Sequence, residues 1–137
     1  MGWELFAHGA DIGVRGHGTS LAEALENAAL AMTATITDPR SVEARTMLEV
    51  QCTAPSNEIL LYEWLNAIVF EMSTKSMLFG RFEVEVSKHH LVGKIFGEPI
   101  DVAKHQPAVE VKGATLTELH VTRDHNGRWA VQCVVDV

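Results

Sequence analysis

Residues 57–72 read Asn57-Glu58-Ile59-Leu60-Leu61-Tyr62-Glu63-Trp64-Leu65-Asn66-Ala67-Ile68-Val69-Phe70-Glu71-Met72, and residues 81–87 read Arg81-Phe82-Glu83-Val84-Glu85-Val86-Ser87. In the first stretch Leu60, Leu61, Trp64, Leu65, Ile68, Val69 and Met72 recur at helical spacing and put one apolar stripe on a helix. Glu58, in its first turn, complements the positive end of the helix dipole. In the second stretch Phe82, Val84 and Val86 alternate with Arg81, Glu83, Glu85 and Ser87, the period of a strand with one wet face. A long helix followed at once by a half-wet strand specifies a mixed chain with antiparallel sheet.

The same two periods organise the rest. Ser20-Leu21-Ala22-Glu23 fits a capping box. Behind it Leu21, Leu25, Ala28, Ala29 and Met32 form a second helical stripe that must end before Pro39. Trp129, Val131, Cys133 and Val135 alternate with Arg128, Ala130, Gln132 and Asp136, which makes the C-terminus a strand. Asp124-His125-Asn126-Gly127 supplies the turn before it, with an Asn-Gly pair suited to positive φ. Ser87-Lys88-His89-His90 reads as another turn. The expected order is β-β-α-β-α-β-β-β-β, an α+β domain whose sheet is largely antiparallel.

With 137 residues and no linker, repeat or low-complexity stretch, residues 1–137 are expected to form a single domain. Eleven basic against 18 acidic residues leave a net charge of −7, which gives no electrostatic drive toward nucleic acid or anionic membrane. A role in RNA chemistry would run through a partner protein. The two cysteines, Cys52 and Cys133, lie in strand-like stretches without zinc spacing and are expected to be buried free thiols. No apolar run approaches the ~20 residues of a membrane span, and the N-terminus lacks a leader pattern, so a cytoplasmic location is expected.

Two acids are hard to explain by packing. Asp11 lies in His8-Gly9-Ala10-Asp11, and Asp136 follows the apolar Cys133-Val134-Val135. If the first and last strands are neighbours, these carboxylates and the terminal carboxylate of Val137 converge, and such oxygen donors suit calcium, magnesium or manganese. By period, Asp11, Arg15 and His17 share one strand face, and Asp136 points away from the main apolar layer. His8 stands where it could orient Asp11. Spacing alone favours the plainer reading of two unrelated surface acids. Gly97-Glu98-Pro99-Ile100-Asp101, Lys104-His105 and Glu110-Val111-Lys112-Gly113-Ala114-Thr115 read as a turn-rich segment. If Glu110 and Lys112 are in a strand, they share a face and can pair with each other. There is no HExxH, GxSxG, P-loop or dinucleotide fingerprint, and no catalytic residue is assigned.

Taken together, His8-x-Ala10-Asp11-Ile12-Gly13, Leu61-Tyr62-Glu63-Trp64-Leu65-Asn66, Gly97-Glu98, Lys104-His105, the run from Glu110 to Thr115, and Asp136-Val137 resemble the archease family, in order and over essentially the whole chain. The resemblance implies a compact α+β sandwich with two main helices. It also implies an accessory protein of an RtcB-type RNA ligase, rather than an enzyme. That ligase joins 2′,3′-cyclic or 3′-phosphate ends to a 5′-hydroxyl, using GTP and manganese through a guanylylated histidine. The implied role is to promote guanylylation and multiple turnover in tRNA splicing and RNA repair, touching RNA only through the ligase. The implied metal ligands are Asp11, Asp136 and Val137. His8, Glu98, His105, Glu110, Lys112 and Thr115 are candidates for partner contact or for support of that site. An alternative role is as a chaperone or modulator of a tRNA-modifying enzyme such as a tRNA cytosine methyltransferase, to be recognised by metal-independent protection of the client. Two departures stand out: Gly9 where the family usually has threonine, and Gly113 where it often has alanine.

Overall fold

The computed structural model describes residues 2–137. Its strands are β1 (Trp3–His8), β2 (Asp11–Gly18), β3 (Thr46–Thr53), β4 (Met77–Ser87), β5 (His90–Pro99), β6 (Gly113–Ala114), β7 (His120–Arg123) and β8 (Trp129–Asp136). The helices are α1 (Leu21–Ile36), α2 (Asn57–Lys75) and a single turn, α3 (Val102–His105). All strand pairs are antiparallel. One sheet runs β1-β2-β8-β6, with β7 also on β8, and the other runs β3-β5-β4. The expected order holds with three additions, a 3-10 turn at Pro39–Ser41, the two-residue β6 and the turn α3, all too short to show a period.

Both helices start where the sequence places them. Ser20 Oγ accepts the Glu23 N–H at 3.1 Å, and Ser56 Oγ accepts that of Ile59 at 3.2 Å. The Glu23 carboxylate reaches one residue past the cap, to the Thr19 N–H at 2.8 Å. α1 ends at Ile36, before Pro39. In the turn before β8, only Gly127 takes positive φ, at 81°, whereas Asn126 does not. Asp124 organises that turn by accepting the Asn126 and Arg128 amides. The Lys88-His89 turn is tighter, with φ of 51° and 61° at its two central residues.

α1 and α2 each pack against both sheets and form a layer between them. α1 is therefore buried beyond its apolar stripe, including Ala24, Ala31, Thr33 and Thr35. It lies so close to β2 that a Cβ at Gly16 would stand 2.2 Å from the Ala24 carbonyl oxygen. Trp64, Phe79, Leu25, Met32, Leu60, Leu61, Leu65 and Ile68 are fully buried, and each such side chain contributes roughly 1.5–3 kcal/mol through removal from water. Trp64 Nε1–H donates to the Leu25 carbonyl at 2.9 Å and so ties the helices together. Cys52 and Cys133 are buried free thiols, as expected, and burial pushes them up to about 11 and about 12. No helix among the described residues is long and apolar enough to cross a membrane.

Candidate functional site

Asp11 opens the second strand, and it is β2 rather than β1 that lies beside β8. The β2–β8 ladder pairs Ile12 with Val135, so Asp11 and Asp136 are neighbours one step further on. On its other side β2 pairs Asp11 with His8 of β1, and β8 pairs Asp136 with Gly113 of β6. Residues directly opposite share a face, so His8, Asp11 and Asp136 lie in one row across three strands. The chain end closes the row: the Val137 N–H donates to Asp11 Oδ1 at 3.4 Å. Further along this face Glu4 holds Arg15 and His17, at 2.6 and 3.2 Å, which places Asp11, Arg15 and His17 on one side as their spacing implies.

Among the described residues, no lysine, arginine or histidine is within ion-pair distance of Asp11 or Asp136. Nor do three His, Cys, Asp or Glu side chains there gather as a metal cage. A cation at this row would take the two side-chain carboxylates and need the Val137 carboxylate as third donor. Asp11 is half-buried and Asp136 exposed. Uncompensated hard oxygens in a partly open position fit calcium, magnesium or manganese by donor chemistry.

The other candidate residues divide. The Lys112 N–H donates to the Asp136 carbonyl at 2.8 Å, which puts that residue beside the row. Thr115 is a strand anchor, its hydroxyl donating to the Val134 carbonyl at 2.8 Å. Glu110 is exposed and lines a mostly apolar cleft of about 520 Å³ with Ile36, Val69, Met72, Ile100 and Val109. Residues 106–112 form no strand, and among the described residues Glu110 and Lys112 make no ion pair with each other.

Glu98 and His105 belong to a separate buried clasp. Glu98 Oε2 accepts Lys104 Nζ at 2.8 Å, His105 Nε2 at 2.9 Å and the Glu43 N–H at 2.8 Å. His105 Nδ1 accepts the Asp101 N–H at 2.9 Å, so the imidazole proton sits on Nε2 and points at Glu98. Lys104, the Glu43 amide and His105 together hold the Glu98 carboxyl down at about 2, against an ordinary 4.5. Lys104 also meets Glu43 at 3.2 Å, and Arg45 meets Glu43 at 2.9 Å. Glu43 and Arg45 carried no sequence signal, since neither sits in a motif. A second unforeseen residue is Asn66 on α2. Its Oδ1 accepts the Ala114 N–H at 2.9 Å, and its Nδ2 donates to the Ala114 carbonyl at 3.4 Å. Residues 106–112 thus run as a strap from the clasp to the carboxylate row. Its ends and middle are held by Gln106 N–H to Val102, Ala108 N–H to Ile36 and Lys112 N–H to Asp136.

Gly9 explains one departure. It has φ of +59°, with no atom within 4 Å of where a Cβ would be, and a two-residue hairpin turn of the type with glycine at its first central position requires such a φ. Gly9→Thr meets no steric neighbour but forces a β-branched residue into the left-handed region, and should destabilise by about 1–2 kcal/mol. Gly9→Asn should cost less, a ranking that thermal denaturation checks. At Gly113 a Cβ would stand 3.1 Å from Asn66 Oδ1, a tight approach that Asn66 must yield to accept.

Two antiparallel sheets enclosing a helical layer, with unpaired carboxylates on adjoining strand ends, define an α+β sandwich with an oxygen-donor candidate site. Residues 3–137 match the Archease protein family, and the chain belongs to that family. It is 36% identical over 139 residues to the protein archease of Pyrococcus furiosus, covering 98% of each chain. To that of Sulfurisphaera tokodaii it is 36% identical over 137 residues, again covering 98% of each. The solution structure of Methanobacterium thermoautotrophicum protein 1598 superimposes with a TM-score of 0.86 at 34% identity, over 99% of both chains.

Proposed function

We propose that this archease-family chain is a protein cofactor of an RtcB-type, GTP- and manganese-dependent RNA ligase, promoting its guanylylation and multiple turnover in tRNA splicing or RNA repair. The observation that carries the reading is the meeting of Asp11, Asp136 and the chain end, with the Val137 amide on Asp11 Oδ1. Asp11, Asp136 and the Val137 carboxylate would hold a divalent ion. Such an ion supplies the concentrated positive charge that phosphoryl transfer depends on. The chain's own part is positional. The Val137 amide orients Asp11, the Lys112 amide fixes the backbone at Asp136, and both carboxylates face outward to a docked partner. Acting as an accessory rather than as a catalyst also suits the two thiols, which are buried and held protonated.

Guanylylation and multiple-turnover RNA joining by a matched ligase, at fixed manganese, test the proposal. Asp11→Ala and Asp136→Ala should each reduce stimulation by on the order of tenfold or more, with an unchanged melting transition. Full stimulation by a folded double variant would overturn it.

A further inference from the structure

We propose that the free edge of β3 pairs, antiparallel, with the β3 edge of a second copy of this chain, about a two-fold axis through Val50, joining two three-stranded sheets into one of six. The proposal is independent of the ligase reading. In the order β3-β5-β4 both outer strands have an open side. On β4 that side is managed. Glu26 of α1 accepts the Val84 N–H at 2.8 Å, Thr33 donates to the Phe79 carbonyl at 2.7 Å, and a bulge interrupts the register between Phe79 and Arg81. β3 has none of these devices. It pairs with β5 over all eight residues, Thr46 to Thr53, without a register shift. It contains no lysine or proline, two residues that usually blunt an edge, and Glu49 is its one charged side chain. Among the other sheet's outer strands, β1 has six residues and β7 four.

The sequence of β3 selects the partner and the register. Side chains of one face must meet the same face of the neighbouring strand, which restricts the two-fold to a residue rather than a gap between residues. An axis at Glu49 would set Glu49 against its own copy, and like charges directly opposite are unfavourable. An axis at Gln51 would run Met47 against Pro55, which has no N–H to pair. An axis at Val50 uses residues 47–53 of the strand: Glu49 faces Gln51 of the second copy twice, Met47 faces Thr53, and Leu48 faces Cys52. Each Gln51 amide can then donate to a Glu49 carboxylate across the junction. Met47, 48% exposed, is also covered.

Two exposed substitutions read the register directly. Gln51→Lys creates two opposite-charge pairs and should tighten self-association about fivefold, whereas Gln51→Glu creates two like-charge pairs and should weaken it about fivefold. Sedimentation velocity of the whole chain from micromolar to millimolar concentration measures both against the unmodified protein. In Met47→Cys/Thr53→Cys the two introduced thiols of one chain stand ~20 Å apart along the strand, beyond a disulfide, while those of paired copies are directly opposite. Mild oxidation should give a covalent dimer with the double variant and none with either single variant. A chain that stays monomeric throughout, Gln51 variants that do not separate in this order, or a double variant that fails to cross-link would each overturn the proposal.

Discussion

Trp64→Ala should lower the unfolding free energy by about 3–5 kcal/mol, and with it the melting temperature by roughly 10–15 °C for a domain of this size. Trp64 is the largest fully buried side chain, its indole stands edge-on to Phe82 with centroids 6.0 Å apart, and its N–H is bonded to Leu25 of the other helix. Removing it opens a void between the helix layer and β5, where the ring lies over Gly93. It also unties α2 from α1. Trp64→Phe keeps an aromatic filler and loses the N–H bond, and should cost about 1–2 kcal/mol. Chemical denaturation of the two variants separates packing from hydrogen bonding. An alanine variant within 1 kcal/mol of the parent would contradict this account of the helical layer.

Glu98→Gln should remove much of the acid sensitivity of the fold. The Glu98 carboxyl titrates at about 2 in the folded chain against an ordinary 4.5. Between those values the unfolded chain binds more protons, so stability rises with pH there. The contribution is complete above pH 4.5 and lost as pH falls toward 2. Glu4, Asp38 and Glu43 are also held low, by Arg15, Arg40 and Arg45 respectively, and remain in the variant. The difference between the two stability–pH curves therefore isolates Glu98. At neutral pH the amide cannot replace a carboxylate that accepts Lys104, His105 and the Glu43 N–H at one oxygen, so the variant should also be less stable. Equal slopes below pH 4.5 would show that the clasp is not held by charge.

Both helices were legible because their signals are local. Apolar residues recur every three or four positions, Ser20 opens a capping box, and Glu58 marks the first turn of the second helix. What the pattern concealed is how narrow the wet face of α1 is, with Glu23 its one exposed residue. Ala24, Ala31, Thr33 and Thr35 are small enough to look neutral, and only the second sheet makes them interior. The carboxylate row was legible in its residues but not in its topology. Asp11 and Asp136 are named by their positions at strand ends, yet that β2 rather than β1 lies beside β8 depends on sheet order, which no period encodes. The Glu98–His105–Lys104 clasp was visible only in fragments, because its remaining members, Glu43 and Arg45, come from a segment without pattern.

Asn66 has a consequence of its own. β6 is two residues long, with β8 on one side and on the other the Asn66 carboxamide, which offers Ala114 both an acceptor and a donor as a neighbouring strand would. The place of the missing strand is taken by a side chain rooted in the middle of α2. The rim of the sheet next to Asp136 therefore inherits the lifetime of a long helix packed on the core rather than the fraying of an edge. Disorder introduced in α2 would be felt first at the strand that borders the carboxylates.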